Sequence, residues 1–245
     1  MTMKTHVITP TFKDKQGFRM CARGIEDQDT DFFWHIVLDG NELEEAFVRD
    51  LAEATAQPYQ IYKMPTVRGA LNSFLHASRF IDDPDAVLIT MDGDDWFIRP
   101  DAVSRIMHEY ISEECWMTYG SWVSNRPNYP LGLPAYPEGT TDFRHMNWFC
   151  TQVRTCKKWL LDLVKDEDLK DENNEHYRWP SDWPLWFPMI EMATTKHAVH
   201  IPDILMMYNR TSIYSMPSSP GRTANEQVLR EKTPYEPLPA RPVSE

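Results

Sequence analysis

Apolar and polar positions follow two different periods along the first hundred residues. Four short apolar runs have the length of buried strands, and they lie at 6–9, 33–38, 60–62 and 86–91. Between them, 42–56 and 67–80 place apolar residues at helical spacing, and Thr66 is predicted to cap the second of these helices. Pro100 opens a third predicted helix. Strands that alternate with helices predict βαβ units, and therefore an α/β fold with a mainly parallel sheet flanked by helices.

The pattern loses this regularity beyond about residue 116. Further strands are predicted at 115–122, 146–151 and 199–208, and further helices at 156–164 and 184–192. A loop rich in Pro and Tyr is expected over 126–138, and the polar stretch 13–31 is atypical for a first helix and can include a loop. Six prolines from Ser215 to the end of the chain indicate an extended tail or lid. We therefore predict a single domain over 1–214 and a tail over 215–245.

Composition and charge narrow the function classes. A chain of 245 residues is long enough for one sizeable core. Its net charge of -12 disfavours binding to a polyphosphate backbone. No stretch approaches the roughly 20 apolar residues that span a bilayer, and no apolar secretory signal is visible, so we expect a cytoplasmic protein with no membrane span. The four cysteines lack metal-site spacing, and we assign them no chemistry.

Polar residues follow three of the predicted strands at the point where each strand ends. These positions are 9–11, Asp39-Gly40 and 92–95. Ligands in open α/β sheets bind beyond the carboxyl ends of the strands. The sequence therefore predicts that three polar loops converge on one edge of the sheet.

The strongest chemical signal is the turn Asp92-Gly93-Asp94-Asp95, which follows an apolar strand. Three carboxylates so close together repel one another unless a cation is present. Carboxylate oxygens suit Mg²⁺ or Mn²⁺, and a magnesium-like ion takes one or two protein carboxylates together with substrate phosphates. We predict a site for Mn²⁺ or Mg²⁺ that also receives a diphosphate. The alternative is a solvated acidic turn in which Gly93 supplies a tight bend.

These segments, in this order, resemble the family 2 glycosyltransferases. The matching segments are 7–12, 36–40, 68–100, 151–171, 181–193 and 201–209. The resemblance covers about residues 5 to 210 and implies a GT-A fold, with a nucleotide-sugar-binding half over 1–100 and an acceptor half over 101–214. It also implies an inverting enzyme that uses a UDP-sugar donor. The chain departs from the family at Gln152, where a His is frequent, and at Ser181, where an acidic residue is common.

The resemblance assigns nucleotide contacts to residues at the strand ends, namely Pro10, Thr11, Asp39, Arg68 and Asp92. Among these, Asp39 would accept a hydrogen bond from a uracil-like ring edge, and Arg68 would meet the base or the diphosphate. Asp94 would be the direct metal ligand. Asp92 would face the ribose and the metal, and Asp95 would support either of them.

The resemblance places the catalytic base at Asp182. A carboxylate there would deprotonate an acceptor hydroxyl, although Asp is also a common helix N-cap. Aromatic residues lie nearby at Trp179, Trp183 and Trp186, and they serve either as faces for sugar rings or as core packing. Two histidines that precede the last strand are candidates to complete the metal site, with a structural role as the alternative; they are His197 and His200.

Two other functions remain open at this point. A nucleotidyltransferase also combines an α/β sheet with metal-binding carboxylates, but it normally has a Gly-rich basic loop after the first strand, and residues 11–17 contain one Gly. A catalytically inert sugar-binding or scaffold protein is the other alternative. The default acceptor is a hydroxyl of a glycan. A hydroxylated DNA base is a second possibility that the acidic charge opposes.

Overall fold

The computed structural model describes residues 4–40, 42–112, 114–127, 134–211 and 220–242. Part of the loop expected over 126–138, and residues 215–219 and 243–245 of the predicted tail, lie outside the described residues. Among the helices that are described, none is long and apolar enough to cross a membrane.

Eight strands form one sheet in the order β3-β2-β1-β4-β7-β6-β8-β5. The strands are β1 Thr5–Thr11, β2 Phe33–Asp39, β3 Tyr59–Met64, β4 Val87–Thr90, β5 Trp96–Phe97, β6 Met117–Ser124, β7 Thr155–Lys157 and β8 Ala198–Tyr208. Strands β3, β2, β1 and β4 run parallel, as do β6 and β8, while β7 pairs antiparallel with β4 and β6, and β5 with β8. The prediction of an α/β fold with a mainly parallel sheet is confirmed.

Helices cover both faces of this sheet. They are α1 Lys15–Glu26, α2 Glu45–Ala54, α3 Ala70–Ser78, α4 Ala102–Glu109, α5 Lys158–Asp162, α6 Trp183–His197 and α7 Pro220–Glu231, with a 3-10 helix at Asp166–Leu169. Neighbouring residues of a strand point to opposite faces, so Ile8 and Val37 pack with α3 and α6, whereas Val7 and Ile36 pack with α1 and α4. The two resulting cores hold the sheet rigid beneath its loops.

Two helix starts differ from the sequence expectation. The polar stretch after β1 forms the regular helix α1, because Asp14 caps it by accepting from the amide N–H of Gly17 at 2.8 Å. Helix α3 begins at Ala70, with Gly69 rather than Thr66 as its N-cap. The carboxylate of Asp39 holds the preceding amides outside the helix, as described below.

The described residues 146–151 do not form the predicted strand, and the short strand β7 follows at Thr155–Lys157. Two of the four apolar residues in 146–151 are aromatic, Trp148 and Phe149, and they pack against neighbouring rings rather than along a pleat. Phe149, for example, lies 5.1 Å from Tyr136 between ring centroids. Their apolar character therefore reflects aromatic packing and carries no strand period.

The C-terminal residues are folded over their described length, whereas the sequence predicts an extended tail. Helix α7 buries Leu229, which is 1% exposed. The chain after α7 continues along α6, where the amide of Leu238 donates to the carbonyl oxygen of Met192 at 2.9 Å. The domain boundary at residue 214 and a role for this segment as a lid remain predictions.

Candidate active site

The acidic turn, residues 92–95, is attached to the carboxyl end of β1 by backbone hydrogen bonds. The amide of Met91 donates to the carbonyl oxygen of Ile8 at 3.1 Å, and the amide of Gly93 donates to that of Pro10 at 2.9 Å. A Cβ atom on Gly93 would lie 2.9 Å from the same Pro10 oxygen, and a Cβ on Gly17 would lie 2.8 Å from Asp94. Glycine is therefore required at both positions, because β1 and α1 approach the turn too closely for a side chain.

A small cleft opens beside this turn. Its polar lining consists of Thr90, Asp92, Gln152, Arg154, Ser181 and Asp182, and Pro10 of β1 lies beside them. Its apolar lining consists of Ala70, Leu71, Phe74, Leu185 and Trp186, from α3 and α6. The structure thus brings together three residues that the sequence predicts for the site, which are Pro10, Asp92 and Asp182.

Asp182 stands at the N-cap position of α6, but its side chain makes no capping hydrogen bond to the described helix. Instead its Oδ2 accepts from Nη1 of Arg154 at 2.8 Å. The Arg154 guanidinium lies 5.6 Å from the ring centroid of Trp186, and its Nε is buried without a hydrogen-bond partner among the described residues. The carboxylate of Asp182 therefore faces the cleft and is oriented by a cation rather than by the helix.

Asp92 also lines the cleft. Its Oδ2 is 3.5 Å from Nε2 of Gln152, whose Oε1 lies 3.4 Å from the hydroxyl of Thr90. Burial raises the pKa of Asp92 above its ordinary value; Arg154 opposes this rise and Asp182 adds to it. The cleft therefore contains two carboxylates and one guanidinium. Its carboxylate oxygens can accept hydrogen bonds from hydroxyl groups and can attract a cation.

The predicted metal site also involves the other carboxylates of the turn, those of Asp94 and Asp95. Asp95 is fully buried; its Oδ1 accepts from the amide of Asn209 at 2.8 Å, and its Oδ2 has no hydrogen-bond partner in the part of the chain that is described. Burial, followed by the charges of Asp94 and Asp92, raises the pKa of Asp95 well above its ordinary value. Within the described residues no group of three or more His, Cys, Asp or Glu is arranged to hold a metal ion.

A cation of the magnesium type nevertheless fits these residues. Such an ion needs only one or two protein carboxylates when substrate phosphates and water complete its shell. The three carboxylates occupy a single turn, and the described residues give Oδ2 of Asp95 no donor that would offset their mutual repulsion. The donor chemistry of the turn is therefore that of a site completed by a ligand.

The other predicted nucleotide contacts lie outside the cleft lining. The carboxylate of Asp39 is 5% exposed and accepts from the backbone amides of Arg68 at 2.7 Å and Gly69 at 2.8 Å. The hydroxyl of Thr11 is also buried and donates to the carbonyl oxygen of Val37 at 3.0 Å. Asp39 thus anchors the loop that precedes α3, and the side chain of Arg68 projects from this loop.

The aromatic and histidine candidates differ in their exposure and in their position in the fold. Trp183 and Trp186 are 7% and 2% exposed and belong to the core, whereas Trp179 is 38% exposed. His197 stacks on a neighbouring indole at the start of β8, while the bond to Asp95 is made at the opposite end of that strand. His197 and His200 thus lie near the start of β8, and a role for either in completing the metal site stays a prediction beside the structural alternative.

No protein-family model matches the chain, and no curated protein matches it in sequence. Solved structures do match. Staphylococcus aureus TarS 1-349 in complex with UDP-GlcNAc superposes with a TM-score of 0.64 at 13% identity, over 93% of this chain and 65% of that one. Mannosyltransferase PcManGT from Pyrobaculum calidifontis, in complex with GDP-Man and Mn²⁺, superposes with a TM-score of 0.60 at 14% identity, over 94% and 64%. The chain has a GT-A glycosyltransferase fold.

The GT-A fold is shared over most of this chain, although the chain spans less than two thirds of the length of both structures. Membership of family 2 stays a prediction. Within the GT-A sheet, Asp92 follows a central strand and Asp182 begins a helix of the second half, as the sequence predicts. Sequence reasoning does not single out Arg154, because a lone arginine before a three-residue strand has neither a motif nor a period.

Proposed function

We propose that this chain is a nucleotide-sugar-dependent glycosyltransferase that inverts the anomeric carbon and uses Asp182 as its general base. The observation that carries the proposal is that Asp182 and Asp92 line the same cleft, beside the carboxyl ends of β1 and β4. The two solved structures with the same fold bear UDP-GlcNAc and GDP-Man. A UDP-sugar is the donor that the sequence resemblance favours.

The reaction is a single displacement. The oxygen of an acceptor hydroxyl forms a bond to the anomeric carbon while the bond from that carbon to the diphosphate oxygen breaks. The electron pair of the broken bond leaves with the nucleoside diphosphate. Asp182 takes the hydroxyl proton, and a well-placed general base of this kind contributes roughly 10²–10⁴ in rate.

Arg154 has two roles in this scheme. Its Nη1 fixes the carboxylate of Asp182 at 2.8 Å, so that the base is oriented before the acceptor arrives. Its buried charge also lies close enough to Asp92 to influence the pKa of that carboxyl. The guanidinium therefore acts on both carboxylates of the cleft, on Asp182 by a hydrogen bond and on Asp92 through its charge.

In this scheme the donor is bound by residues of the acidic turn and of the end of β1. Pro10 and Asp92 line the cleft directly. Asp39 would contact the nucleobase and would also act on the nucleotide through the loop that it anchors. A bound Mn²⁺ or Mg²⁺, held by Asp94 with Asp92, would supply positive charge to the leaving diphosphate. The resemblance also assigns nucleotide contacts to Thr11, which is buried, and to Arg68, which is exposed.

The acceptor contributes a hydroxyl group, and a glycan hydroxyl is the acceptor we favour over a hydroxylated DNA base. The chain carries a net charge of -12, which repels nucleic acid. The nucleotidyltransferase alternative needs basic residues free to hold a triphosphate after β1. Lys13 and Lys15 are instead paired with Glu42 at 3.5 Å and Glu44 at 2.8 Å.

The proposal is tested by calorimetric titration of UDP, GDP and dTDP in the presence and absence of Mn²⁺, followed by transfer assays with the matching nucleotide sugars. We expect metal-dependent binding of one nucleotide and release of that nucleotide from its sugar. Proton NMR of the product gives the anomeric configuration, which should be inverted. Failure of all three nucleotides to bind would favour the inert sugar-binding or scaffold alternative.

A further inference from the structure

Helix α7 contacts the segment that carries Asp182 on both sides of that residue. Nδ2 of Asn225 donates to the carbonyl oxygen of Trp179 at 2.8 Å. The guanidinium of Arg230 lies 4.5 Å from the ring centroid of Trp183. Asp182 therefore lies between two contacts with α7, three residues after the first and one residue before the second.

The Trp183 ring is held from several directions. Its centroid lies 5.7 Å from that of Trp148 and 5.3 Å from that of Phe187. Arg230, which lies over the same ring, also donates from Nη1 to the carbonyl oxygen of Met146 at 2.9 Å. A guanidinium over an indole face is attractive, and more so when both groups are partly shielded from water. Arg230 thus connects the first residue of α6 to the loop before β7.

A buried ion pair anchors the same C-terminal segment. Nε and Nη2 of Arg144 donate to the two carboxylate oxygens of Glu191 at 2.5 and 2.8 Å, and both side chains are at most 3% exposed. Nη1 of Arg144 also donates to the carbonyl oxygen of Leu229 at 2.5 Å, and the amide of Tyr235 donates to Glu191 at 3.0 Å. Because a buried pair is stable only when its remaining polar atoms are satisfied, the pair and the docked segment depend on each other.

We propose that α7 is a clamp on the segment 179–183 and that Arg230 and Asn225 are positioning residues for Asp182. They act through Trp183 and Trp179, and neither needs to touch the substrate. The proposal rests on the proposed function for the role of Asp182 as the base. A displacement of about 1 Å at a reacting group can lower a rate by about 10²-fold, so small movements of this segment are consequential.

The clamp itself is tested without any reaction, by hydrogen–deuterium exchange on the full chain. The amides of Leu185 and Trp186 donate to the carbonyl oxygen of Asp182 at 3.1 and 3.0 Å, and they report on the start of α6. We expect faster exchange over 179–187 in Arg230→Met and in Asn225→Ala, and partial restoration in Arg230→Lys. Asn225→Ala leaves the Arg144 ion pair intact, so it remains informative if Arg230→Met folds poorly.

The matched control is Gln227→Ala, since the Gln227 side chain is exposed and bonds within α7, to Glu231. Exchange over 179–187 should be unchanged in this control. Unchanged exchange in both Arg230→Met and Asn225→Ala would overturn the clamp.

The positioning role is tested by turnover, with UDP-GlcNAc or GDP-mannose as the probe, whichever the wild type consumes. We expect donor Kd to change by less than about 2-fold and turnover to fall by at least about 10-fold in Arg230→Met, because the base is displaced while the donor site is intact. In an Asp182→Asn background the same substitution should cause no further loss, since residues that act as a unit are not additive.

A full additional loss in that background would overturn the positioning role. Consumption of neither probe by the wild type would count against the proposed function, and the exchange experiment would still decide the clamp.

Discussion

Arg154 and Asp182 form an ion pair at 2.8 Å, and both line the cleft that Asp92 also lines. Their side chains are 10% and 24% exposed, so the pair is substantially shielded from water. Removal of one partner from a shielded pair leaves the other charge uncompensated, which is costly in free energy. The cation therefore matters both to the stability of the fold and to the orientation of the base.

We predict that Arg154→Gln lowers turnover by at least about 10-fold and also lowers the melting temperature, because Asp182 loses its partner and its fixed orientation. Arg154→Lys should retain part of the activity. The control is Arg49→Gln, which removes an exposed pair with Glu45 and should leave the melting temperature and the turnover nearly unchanged. Thermal unfolding and steady-state kinetics on the three variants check this, and full activity in Arg154→Gln would contradict it.

Asp182→Asn should spare donor binding and reduce transfer by about 10²–10⁴-fold, because the amide cannot accept the acceptor proton. The substitution keeps the size of the side chain and one acceptor oxygen for Arg154, so the chain should fold, but the neutral amide leaves the charge of Arg154 uncompensated and should lower the melting temperature. Calorimetry with the nucleotide and initial rates of transfer measure the two effects separately. Near-normal turnover would remove Asp182 as the base.

Asp94→Asn should weaken the binding of the nucleotide in the presence of Mn²⁺ and leave the weaker metal-free binding unchanged, since the substitution removes a carboxylate ligand. A matched control is Asp82→Asn, an exposed carboxylate at the opposite end of β4 from the acidic turn. Calorimetric titrations with Mn²⁺ and with a chelator check the prediction. Equal affinities for the wild type and Asp94→Asn with Mn²⁺ would contradict it.

The two halves of the fold differ in how much the sequence predicts. Strands β2 and β4 are recognisable because parallel strands buried on both faces are continuous apolar runs, as at Val87–Thr90. Helix α7 is not recognisable, because its contacts with Trp179 and Trp183 come from residues about 45 positions away in the chain and leave no local period. Long-range contacts of this kind decide the structure of the C-terminal segment.

The same distinction applies to the site. The acidic turn and Asp182 are found from a motif and from the resemblance, since each belongs to a recognisable local segment. The role of Asp39 in holding Arg68 and Gly69 is not found, because it depends on the distance between β2 and the start of α3. Likewise, the pairing of Arg154 with Asp182 joins residues 28 positions apart, and no sequence pattern specifies it.

Asp39→Ala should destabilise the fold by about 1–3 kcal/mol, because two backbone amides at the start of α3 lose their acceptor in a nearly buried position. Asp39→Asn keeps one acceptor oxygen and should cost less. Urea denaturation of the two variants measures the difference. If Asp39→Ala were as stable as the wild type but no longer bound the nucleotide, the role of Asp39 would be limited to contact with the nucleobase.

A histidine pair in the sheet makes stability depend on pH. Nδ1 of His6 lies 2.9 Å from Nε2 of His35, and Nδ1 of His35 lies 2.9 Å from the hydroxyl of Tyr62. Burial, followed by the charge of its neighbour His6, lowers the pKa of His35 from 6.5 to about 3. Burial, followed by the charge of Lys4, lowers the pKa of His6 from 6.5 to about 4. Both rings are therefore neutral in the folded chain at pH values where they would be protonated in the unfolded chain.

The unfolded chain consequently binds more protons below about pH 6.5, and the free energy of unfolding should fall as the pH decreases towards 4 and 3. Between pH 7 and pH 5 we expect His35 to account for a loss on the order of 1–2 kcal/mol. His35→Gln should be less stable at pH 7 but should show a shallower dependence on pH, whereas His108→Gln, at an exposed position, should follow the wild type. Urea denaturation at half-unit pH intervals checks this, and equal slopes for His35→Gln and the wild type would assign the pH dependence to other groups.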